Sequence, residues 1–235
     1  MTLSNAQREI HAKNADFFAN NRGYADLVGR LDTYRRIRET IEHELVGVEK
    51  LLDVGNGGVF AYDTSVVGRI VAVDLFLDDG REAPPNVEFR RGDALALAEG
   101  DQTYDAALYA LVFHHLTGTS ASTVERNTRR ALEEAHRVLR PGGRLVVVES
   151  CVPTWFYGVE RILFAPLAAL ARTRAMKHPA TLQLPLPVLT SLVGERFEIA
   201  RSEPIPAGRW ILQFGLRWPT LLTPARPFLV TARKP

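Results

Sequence analysis

The stretch Leu51-Leu52-Asp53-Val54-Gly55-Asn56-Gly57-Gly58 decides how the rest of the chain is interpreted. A short apolar run ends in an acid and then breaks into glycines, which is typical of a buried parallel strand that ends in a tight turn. Glycine has no Cβ, so the backbone of such a turn can adopt positive φ and approach a ligand closely. A second apolar run, Ile70-Val71-Ala72-Val73-Asp74, also ends in an acid. A glycine turn followed by a strand-end acid about twenty residues later is the pattern that places a nucleoside ribose on a carboxylate.

The glycine spacing separates two kinds of nucleotide-binding turn. It does not fit the G-x-G-x-x-G fingerprint of dinucleotide-binding proteins, whose third glycine would fall at Phe60. It resembles instead the first motif of the class I S-adenosylmethionine-dependent methyltransferases, roughly D-x-G-x-G-x-G. Asp53, Gly55 and Gly57 match that motif, whereas its third glycine falls at Val59. The departure indicates a turn of different shape.

Two further passages carry the same resemblance. An apolar strand opens on Tyr104-Asp105 and is followed by Phe113-His114-His115-Leu116. Residues 134–145 end in Arg-Pro-Gly-Gly-Arg-Leu and are typical of small-molecule members of the family. The resemblance covers about residues 50–150 well and the rest only in outline. It implies a doubly wound, Rossmann-like α/β fold with a seven-stranded, mostly parallel sheet, an antiparallel last strand and a helical lid.

The resemblance also implies where S-adenosylmethionine would bind. Asp74 would accept the ribose hydroxyls, Asp93 would accept the adenine amino group, and carbonyls just after strand four would receive the α-amino group. Asp93 has a second possible role as the N-cap of a helix. The cofactor-binding residues predicted in this way are Asp53, Gly55, Asn56, Gly57, Asp74, Leu75, Asp93, Ala94, Tyr109 and Ala110.

Methyl transfer in this family is an in-line displacement at a carbon that the sulfonium activates, so the enzyme mainly aligns the reactants. A neutral acceptor must also lose a proton. His114 and His115 are the first candidates for the base, because imidazole titrates near neutral pH. Glu149, at the end of strand five, is the next. Adjacent histidines cannot both point the same way on a helix, so one is expected to be structural; a carboxylate acceptor would need no base. Neither histidine has metal-ligand spacing, and no metal site is predicted.

The chain of 235 residues, 46% hydrophobic and 24% charged, is long enough for one α/β domain with an accessory region. We predict a single methyltransferase domain over residues 1–235. It divides into an N-terminal helical cap (1–47), a cofactor-binding core (48–150), a lid insertion (151–195) and closing strands (196–235).

The local patterns predict individual elements. Strands are expected at Lys50–Val54, Arg69–Asp74, Val87–Arg90, Ala106–Tyr109, Arg144–Glu149, Phe197–Ser202 and Phe228–Ala232. Helices are expected over 56–67, 122–139 and 188–194, with one or two apolar helices over 153–172. Tyr62 and Asp63 do not fit an apolar packing helix over 56–67. An apolar connection too long for a hairpin turn is expected between the last two strands.

Charge is unevenly distributed. Residues 1–150 contain 18 basic and 23 acidic residues, which gives −5, whereas residues 151–235 contain 11 and 4, which gives +7. Two explanations remain open: solvated surface arginines, or a positive entrance that attracts an anionic group. The basic residues are spread singly, which argues against nucleic acid. One cysteine excludes an internal disulfide framework and favours a cytoplasmic location. No apolar stretch is long enough to span a membrane.

These observations predict methyl transfer to oxygen or nitrogen of a small, largely apolar metabolite, in natural-product biosynthesis. We expect residues 151–222 to enclose the acceptor, with Arg161, Arg172 and Arg174 as candidates to hold an anionic end. An alternative is a cyclase or isomerase on the same fold that binds S-adenosylmethionine without transferring its methyl group. A third possibility is a non-catalytic binding protein, which the altered glycine turn favours. The sequence leaves the oligomeric state open.

Overall fold

The fold is described from a computed structural model over residues 31–77, 82–116, 120–171, 181–213 and 216–235. The large sheet contains β1 Lys50–Val54, β2 Arg69–Asp74, β3 Val87–Arg91, β4 Tyr104–Ala110, β5 Leu139–Cys151, β6 Glu198–Pro204 and β9 Arg226–Arg233; β7 Trp210–Gln213 and β8 Leu216–Pro219 form a separate pair. The described helices are α1 Asp32–Leu45, α2 Ala121–Val138, α3 Thr154–Ala171 and α4 Leu186–Gly194, with 3₁₀ turns at Thr64–Val66, Phe113–His115 and Thr220–Leu222.

The seven strands of the large sheet have the order β3-β2-β1-β4-β5-β9-β6. Strands β1 to β5 are parallel, and β9 is antiparallel to both of its neighbours. Leu51, Leu52 and Val54 in β1 are fully buried, as expected for a parallel strand that is covered on both sides. The predicted fold class is confirmed. Because β1 and β4 are adjacent and parallel, the glycine turn and the His-His segment emerge at the same edge of the sheet.

The prediction of a helix over residues 56–67 is wrong. Only the 3₁₀ turn Thr64–Val66 forms there. The Tyr62 hydroxyl donates to Asp53 at 3.0 Å, which draws that ring into the core, and the Asp63 N–H donates to Glu42 Oε1 at 2.8 Å. Asp63 also accepts from the Ser65 N–H at 3.0 Å. The Asp63–Ser65 bond is a local side-chain-to-backbone contact of the kind that competes with helix formation, and the other two are tertiary contacts that hold Tyr62 and Asp63 in a non-helical conformation.

The segment after β5 forms one helix, α3, where one or two were expected. Tyr157 and Phe164 on α3 are buried, and the Tyr157 hydroxyl donates to Glu125 on α2. Beyond the helix, an extended segment returns over the end of β5. Its Leu184 carbonyl accepts from the Val152 N–H at 3.4 Å, and its Leu182 N–H donates to the His114 carbonyl at 3.3 Å. The accessory region is therefore attached directly to the His-His segment.

Other elements begin or end a few residues away from their predicted bounds. Helix α2 ends at Val138, and β5 begins at Leu139, five residues before the predicted start. The connection between β6 and β9 contains the β7–β8 hairpin and a 3₁₀ turn. The predicted cap is described only from residue 31, so most of it lies outside the described ranges, as do Arg172 and Arg174. None of the described helices is long and apolar enough to cross a membrane.

Candidate active site

The glycine turn packs tightly against the segment that follows β4. The Gly55 N–H donates to the Val73 carbonyl at 2.7 Å, which ties the turn to β2. Gly55 has φ +78°, and a Cβ at this position would lie 2.8 Å from Val112 Cγ1. Gly57 and Gly58 also have positive φ, at +59° and +74°. Only glycine fits this turn without strain, because other residues rarely adopt that conformation.

Asp74, the predicted ribose acceptor, is already oriented by the backbone. Its Oδ2 accepts from the Gly57 N–H at 2.9 Å, and its Oδ1 accepts from the Phe76 N–H at 2.7 Å. Burial raises the pKa of Asp74, and the two backbone N–H groups oppose that rise. Each carboxylate oxygen has two lone pairs, so both oxygens retain the capacity to accept a hydroxyl proton. Leu75 is half-buried beside it.

Asp53 is a buried carboxylate with one unsatisfied oxygen. Its Oδ2 accepts from Asn56 Nδ2 at 2.9 Å and from the Tyr62 hydroxyl at 3.0 Å. Its Oδ1 is buried and has no hydrogen-bond partner. Desolvation raises the pKa of Asp53 to about 6, although the two hydrogen bonds oppose it. A buried carboxylate oxygen without a donor is costly, and a cationic N–H group would satisfy it. This oxygen therefore fits a ligand such as S-adenosylmethionine, which has an α-ammonium group.

Asp93 closes a turn and does not cap a helix. Its Oδ1 accepts from the Leu95 N–H at 2.9 Å, and its carbonyl accepts from the Ala96 N–H at 3.0 Å. The alternative N-cap role for Asp93 is therefore wrong, because the chain continues from this turn without a helix up to Ala110. Asp93 and Ala94 are both half-buried.

At the end of β4, the groups available to a ligand are backbone groups rather than side chains. The Tyr109 ring is fully buried, and its hydroxyl donates to the Ala131 carbonyl at 3.2 Å. Ala110 is half-buried, and Leu111 has φ +59°. A left-handed conformation costs a residue with a Cβ roughly 1–2 kcal/mol. Such strain concentrates at functional sites, where the surrounding structure holds it in place.

His114 and Glu149 form a closely paired dyad. Glu149 is fully buried, and its Oε1 lies 2.7 Å from His114 Nδ1 and accepts from the Ser150 N–H at 2.7 Å. Its Oε2 accepts from the Phe113 N–H at 2.8 Å and from the His114 N–H at 3.4 Å. An ionised carboxylate only accepts hydrogen bonds, so this network assigns the proton of a neutral His114 to Nδ1. The other nitrogen, Nε2, is then free to accept a proton.

His115 has a different environment. It lies in the same 3₁₀ turn, and its ring centroid is 4.1 Å from that of His114. Its N–H donates to the Val112 carbonyl at 2.9 Å. The sequence makes His114 and His115 equal candidates for the base. The contact between Glu149 and the His114 ring therefore favours His114.

The structure brings the predicted residues together in two groups at one edge of the sheet. Asp53, Asp74 and the glycine turn lie at the carboxyl ends of β1 and β2, and the His114–Glu149 dyad lies at the carboxyl ends of β4 and β5. Sequence reasoning missed the role of Tyr62, whose poor fit to an apolar helix was the available signal. No group of three or more His, Cys, Asp or Glu within the described ranges is arranged to hold a metal ion.

Comparison with known proteins identifies a family for the core of the chain. The methyltransferase domain family matches residues 52–147, which include the glycine turn, β4 and most of β5. A demethylmenaquinone methyltransferase from Paenarthrobacter aurescens is 31% identical over 160 residues. That match covers 65% of this chain and 59% of the relative, so the chain spans less than two thirds of the length of this curated protein.

Solved structures share the fold at low sequence identity. A putative methyltransferase from Haloferax volcanii, solved with the Trm112 methyltransferase activator, has a TM-score of 0.62 at 15% identity and matches over 94% of this chain and 97% of its own. The [4+2]-cyclase SpnF has a TM-score of 0.55 at 19% identity, over 85% of this chain and 80% of its own. At these identities the likeness shows the fold alone.

Proposed function

We propose, from the premise that this chain carries a class I methyltransferase domain, that it transfers the methyl group of S-adenosylmethionine to oxygen or nitrogen of a small, largely apolar acceptor. The observation that carries the proposal is the His114–Glu149 dyad, with 2.7 Å between Nδ1 and Oε1, at the same sheet edge as the glycine turn. A base held there suits an acceptor that must lose a proton. The cofactor supplies an activated methyl group; the chain supplies alignment and the base.

In this proposal two buried acids hold the cofactor. Asp74 binds the ribose hydroxyls while its own backbone hydrogen bonds keep it oriented. Asp53 receives the α-ammonium group at Oδ1, the oxygen that lacks a donor in the protein alone. Asp93, Ala94 and the backbone of Tyr109 and Ala110 complete the predicted set.

The chain's contribution to the reaction is proton transfer and orientation. Nε2 of His114 accepts the proton of the acceptor hydroxyl or amine, and Nδ1–H continues to donate to Glu149. The resulting imidazolium is stabilised by the Glu149 carboxylate, which four donors hold in place. A base positioned in this way contributes typically 10²–10⁴-fold to the rate.

Two observations and one general rule support an apolar acceptor. Leu182 and Leu184, in the segment that contacts His114 and Val152, are buried at this edge. Ligand pockets are mostly apolar with few polar groups. The curated relative named above is called a demethylmenaquinone methyltransferase, and a menaquinone precursor is an apolar molecule. We extend this acceptor class to a natural-product metabolite of the cytoplasm.

The experiment is a comparison of His114→Asn with His115→Asn. Wild type is incubated with labelled S-adenosylmethionine and extract from the producing cell, and labelled products are identified by mass spectrometry. With a purified acceptor, His114→Asn should lose 10²–10⁴-fold in kcat with little change in cofactor affinity, and His115→Asn should lose much less. Full turnover in both variants would contradict the role of the imidazole.

The fold likeness to SpnF keeps a cyclase as the second candidate. Such an enzyme would bind the cofactor and convert its substrate without producing S-adenosylhomocysteine. Stoichiometric S-adenosylhomocysteine and methylated product support methyl transfer, whereas an isomeric product with unchanged cofactor supports the cyclase.

A further inference from the structure

A short extended segment, residues 181–185, crosses the carboxyl end of β5, and we call it the strap. Its Leu182 N–H donates to the His114 carbonyl at 3.3 Å, and its Leu184 carbonyl accepts from the Val152 N–H at 3.4 Å. Both distances exceed the usual range for a backbone hydrogen bond, about 2.7–3.2 Å. The backbone of the strap therefore restrains the turn that carries His114 only weakly.

One side chain of the strap makes a shorter contact. Gln183 Nε2 donates to Ser150 Oγ at 3.1 Å, within the usual range. Leu182 and Leu184, on either side of Gln183, are each 1% exposed and belong to one apolar cluster, so Gln183 points away from that cluster. Burial of leucine is not directional. The hydrogen bond of Gln183 therefore supplies the directional restraint on the strap.

The strap is connected to both faces of β5. Successive residues of a strand point to opposite faces, and the ladder between β5 and β9 is regular at this end. The side chains of Glu149 and Ser150 therefore leave β5 on opposite faces. Glu149 holds the His114 ring on one face, and Ser150 holds Gln183 on the other. The contacts run from the His114 ring through β5 and the strap back to the His114 carbonyl, and they form a closed loop.

Glutamine suits this position chemically. Ser150 is buried, and a buried hydroxyl requires a hydrogen-bond partner. The Gln183 amide supplies one without a charge, so the Glu149 carboxylate keeps His114 as its partner. A cationic side chain bound one residue from Glu149 would compete with His114 for that carboxylate.

We propose that Gln183 is a positioning residue for the base. By tying the strap to Ser150, it keeps the Leu182 N–H on the His114 carbonyl, while Glu149 holds the ring of the same residue. His114 is then restrained at both its backbone and its ring, and Nε2 keeps one direction toward the acceptor. The inference rests on the proposed function, because His114 acts as a base only in that reaction.

The test measures the orientation of the imidazole directly, in the ¹⁵N-labelled full chain without cofactor or acceptor. His114 Nδ1 lies 2.7 Å from Glu149 Oε1. In wild type its N–H should give a downfield proton resonance, because a ring proton held by a carboxylate exchanges slowly with water. His114→Asn removes that resonance and so identifies it. Gln183→Leu, which keeps the size of the side chain and removes the amide, should broaden or abolish it.

Turnover provides the second measurement, with labelled S-adenosylmethionine and extract from the producing cell. Gln183→Leu should lose about 10–10²-fold in rate, since a small displacement of a catalytic group has an effect of this size. The affinity for S-adenosylmethionine, measured by calorimetry, should not change. Ser150→Ala should act in the same way. The double variant should be no slower than the slower single variant, because both substitutions remove one shared hydrogen bond.

Thr190→Val is the matched control. Thr190 Oγ1 donates to the Leu186 carbonyl at 2.9 Å, in helix α4 directly after the strap. The variant therefore loses a side-chain hydrogen bond of the same region without changing the strap. It should keep both the resonance and the rate of wild type.

The proposal is overturned if Gln183→Leu, shown by urea unfolding to be folded, keeps the resonance and the rate. It is also overturned if Thr190→Val loses them to the same extent, or if the losses in the double variant add. Should Gln183→Leu fail to fold, Ser150→Ala decides in its place, since it removes the same bond from β5. Wild type without the resonance would contradict the dyad, and with it the proposed function. Wild type with the resonance, beside unchanged strap variants, would contradict only the role of Gln183.

Discussion

Asp53 and Glu149 are both buried carboxylates at the same edge of the sheet, yet their surroundings differ. Glu149 accepts four hydrogen bonds, two on each oxygen, and two of the four donors, the backbone N–H and Nδ1, belong to His114. Asp53 accepts two on one oxygen and none on the other. A fully satisfied acid can hold its partner rigidly, whereas an unsatisfied acid costs stability until a ligand supplies a donor. The surroundings of Glu149 suit the positioning of a base, and those of Asp53 suit the binding of a ligand.

The strongest test of this comparison is Glu149→Gln. The new amide would direct N–H donors at the Ser150 N–H or the His114 Nδ1–H, so the His114 tautomer would change. We expect kcat to fall about 10²–10⁴-fold and the limb of the pH–rate profile that reports the base to shift or disappear. Cofactor affinity, measured by calorimetry, should change little. Glu149→Asp, which keeps the charge, should recover part of the rate; equal rates for wild type and Glu149→Gln would refute the positioning role.

Asp53→Asn should raise the free energy of unfolding by an amount that grows as pH rises. The pKa of Asp53 in the folded protein is about 6, above its ordinary value of 3.8, so the folded state binds the proton more tightly than the unfolded state. Stability therefore falls as pH rises from about 4 to 6, and the cost, about 3 kcal/mol, is fully present above that window. The variant should be more stable than wild type at pH 8 and nearly equal to it at pH 4.

Urea unfolding at both pH values measures this difference, and calorimetry should show that Asp53→Asn binds S-adenosylmethionine more weakly. Tyr62→Phe is the control, since it removes one donor and leaves the charge. If Asp53→Asn loses stability at pH 8, the unsatisfied oxygen does not explain the raised pKa.

Asp74→Ala should weaken cofactor binding by about 1.5–3 kcal/mol, the range for hydrogen bonds to a charged group. Calorimetry measures the change, with circular dichroism to confirm folding. Asp63→Ala is the control, because Asp63 is an acid of the same crossover whose carboxylate accepts from the Ser65 N–H, and it is not among the predicted cofactor-binding residues. Unchanged affinity in folded Asp74→Ala would remove the ribose assignment.

The smallest effects should come from α3. Tyr157→Phe removes the buried hydroxyl that donates to Glu125, so the free energy of unfolding should fall by about 1–2 kcal/mol. Trp155→Ala should change it by less than about 0.5 kcal/mol, because the side chain is mostly exposed. Urea unfolding compares the two, and the acceptor KM of Trp155→Ala tests whether this residue also contributes to a lid. Equal losses of stability would mean that both sides of α3 belong to the core.

The strands of the sheet could be predicted from the sequence because each strand depends on a pattern of residues that are adjacent in the chain. The runs that end at Asp53 and Asp74 are continuous apolar segments bounded by polar or glycine residues, and β1 and β2 have the predicted bounds. The same local pattern identified the glycine turn and its acids. The helix expected over 56–67 was wrong because apolar spacing does not reveal that Tyr62 reaches back to Asp53 or that Asp63 binds Glu42.

The sequence by itself determined which strands end in an acid or a glycine turn. It therefore determined which residues lie at the edge of the sheet where α/β proteins bind ligands. Only the tertiary structure decided which histidine pairs with Glu149, because the two residues are 35 positions apart and meet only when β4 and β5 align in parallel. It also decided that Asp53 keeps one oxygen without a donor and that one side of α3 is exposed. These properties depend on which distant groups surround a side chain, and local residue pattern carries no information about them.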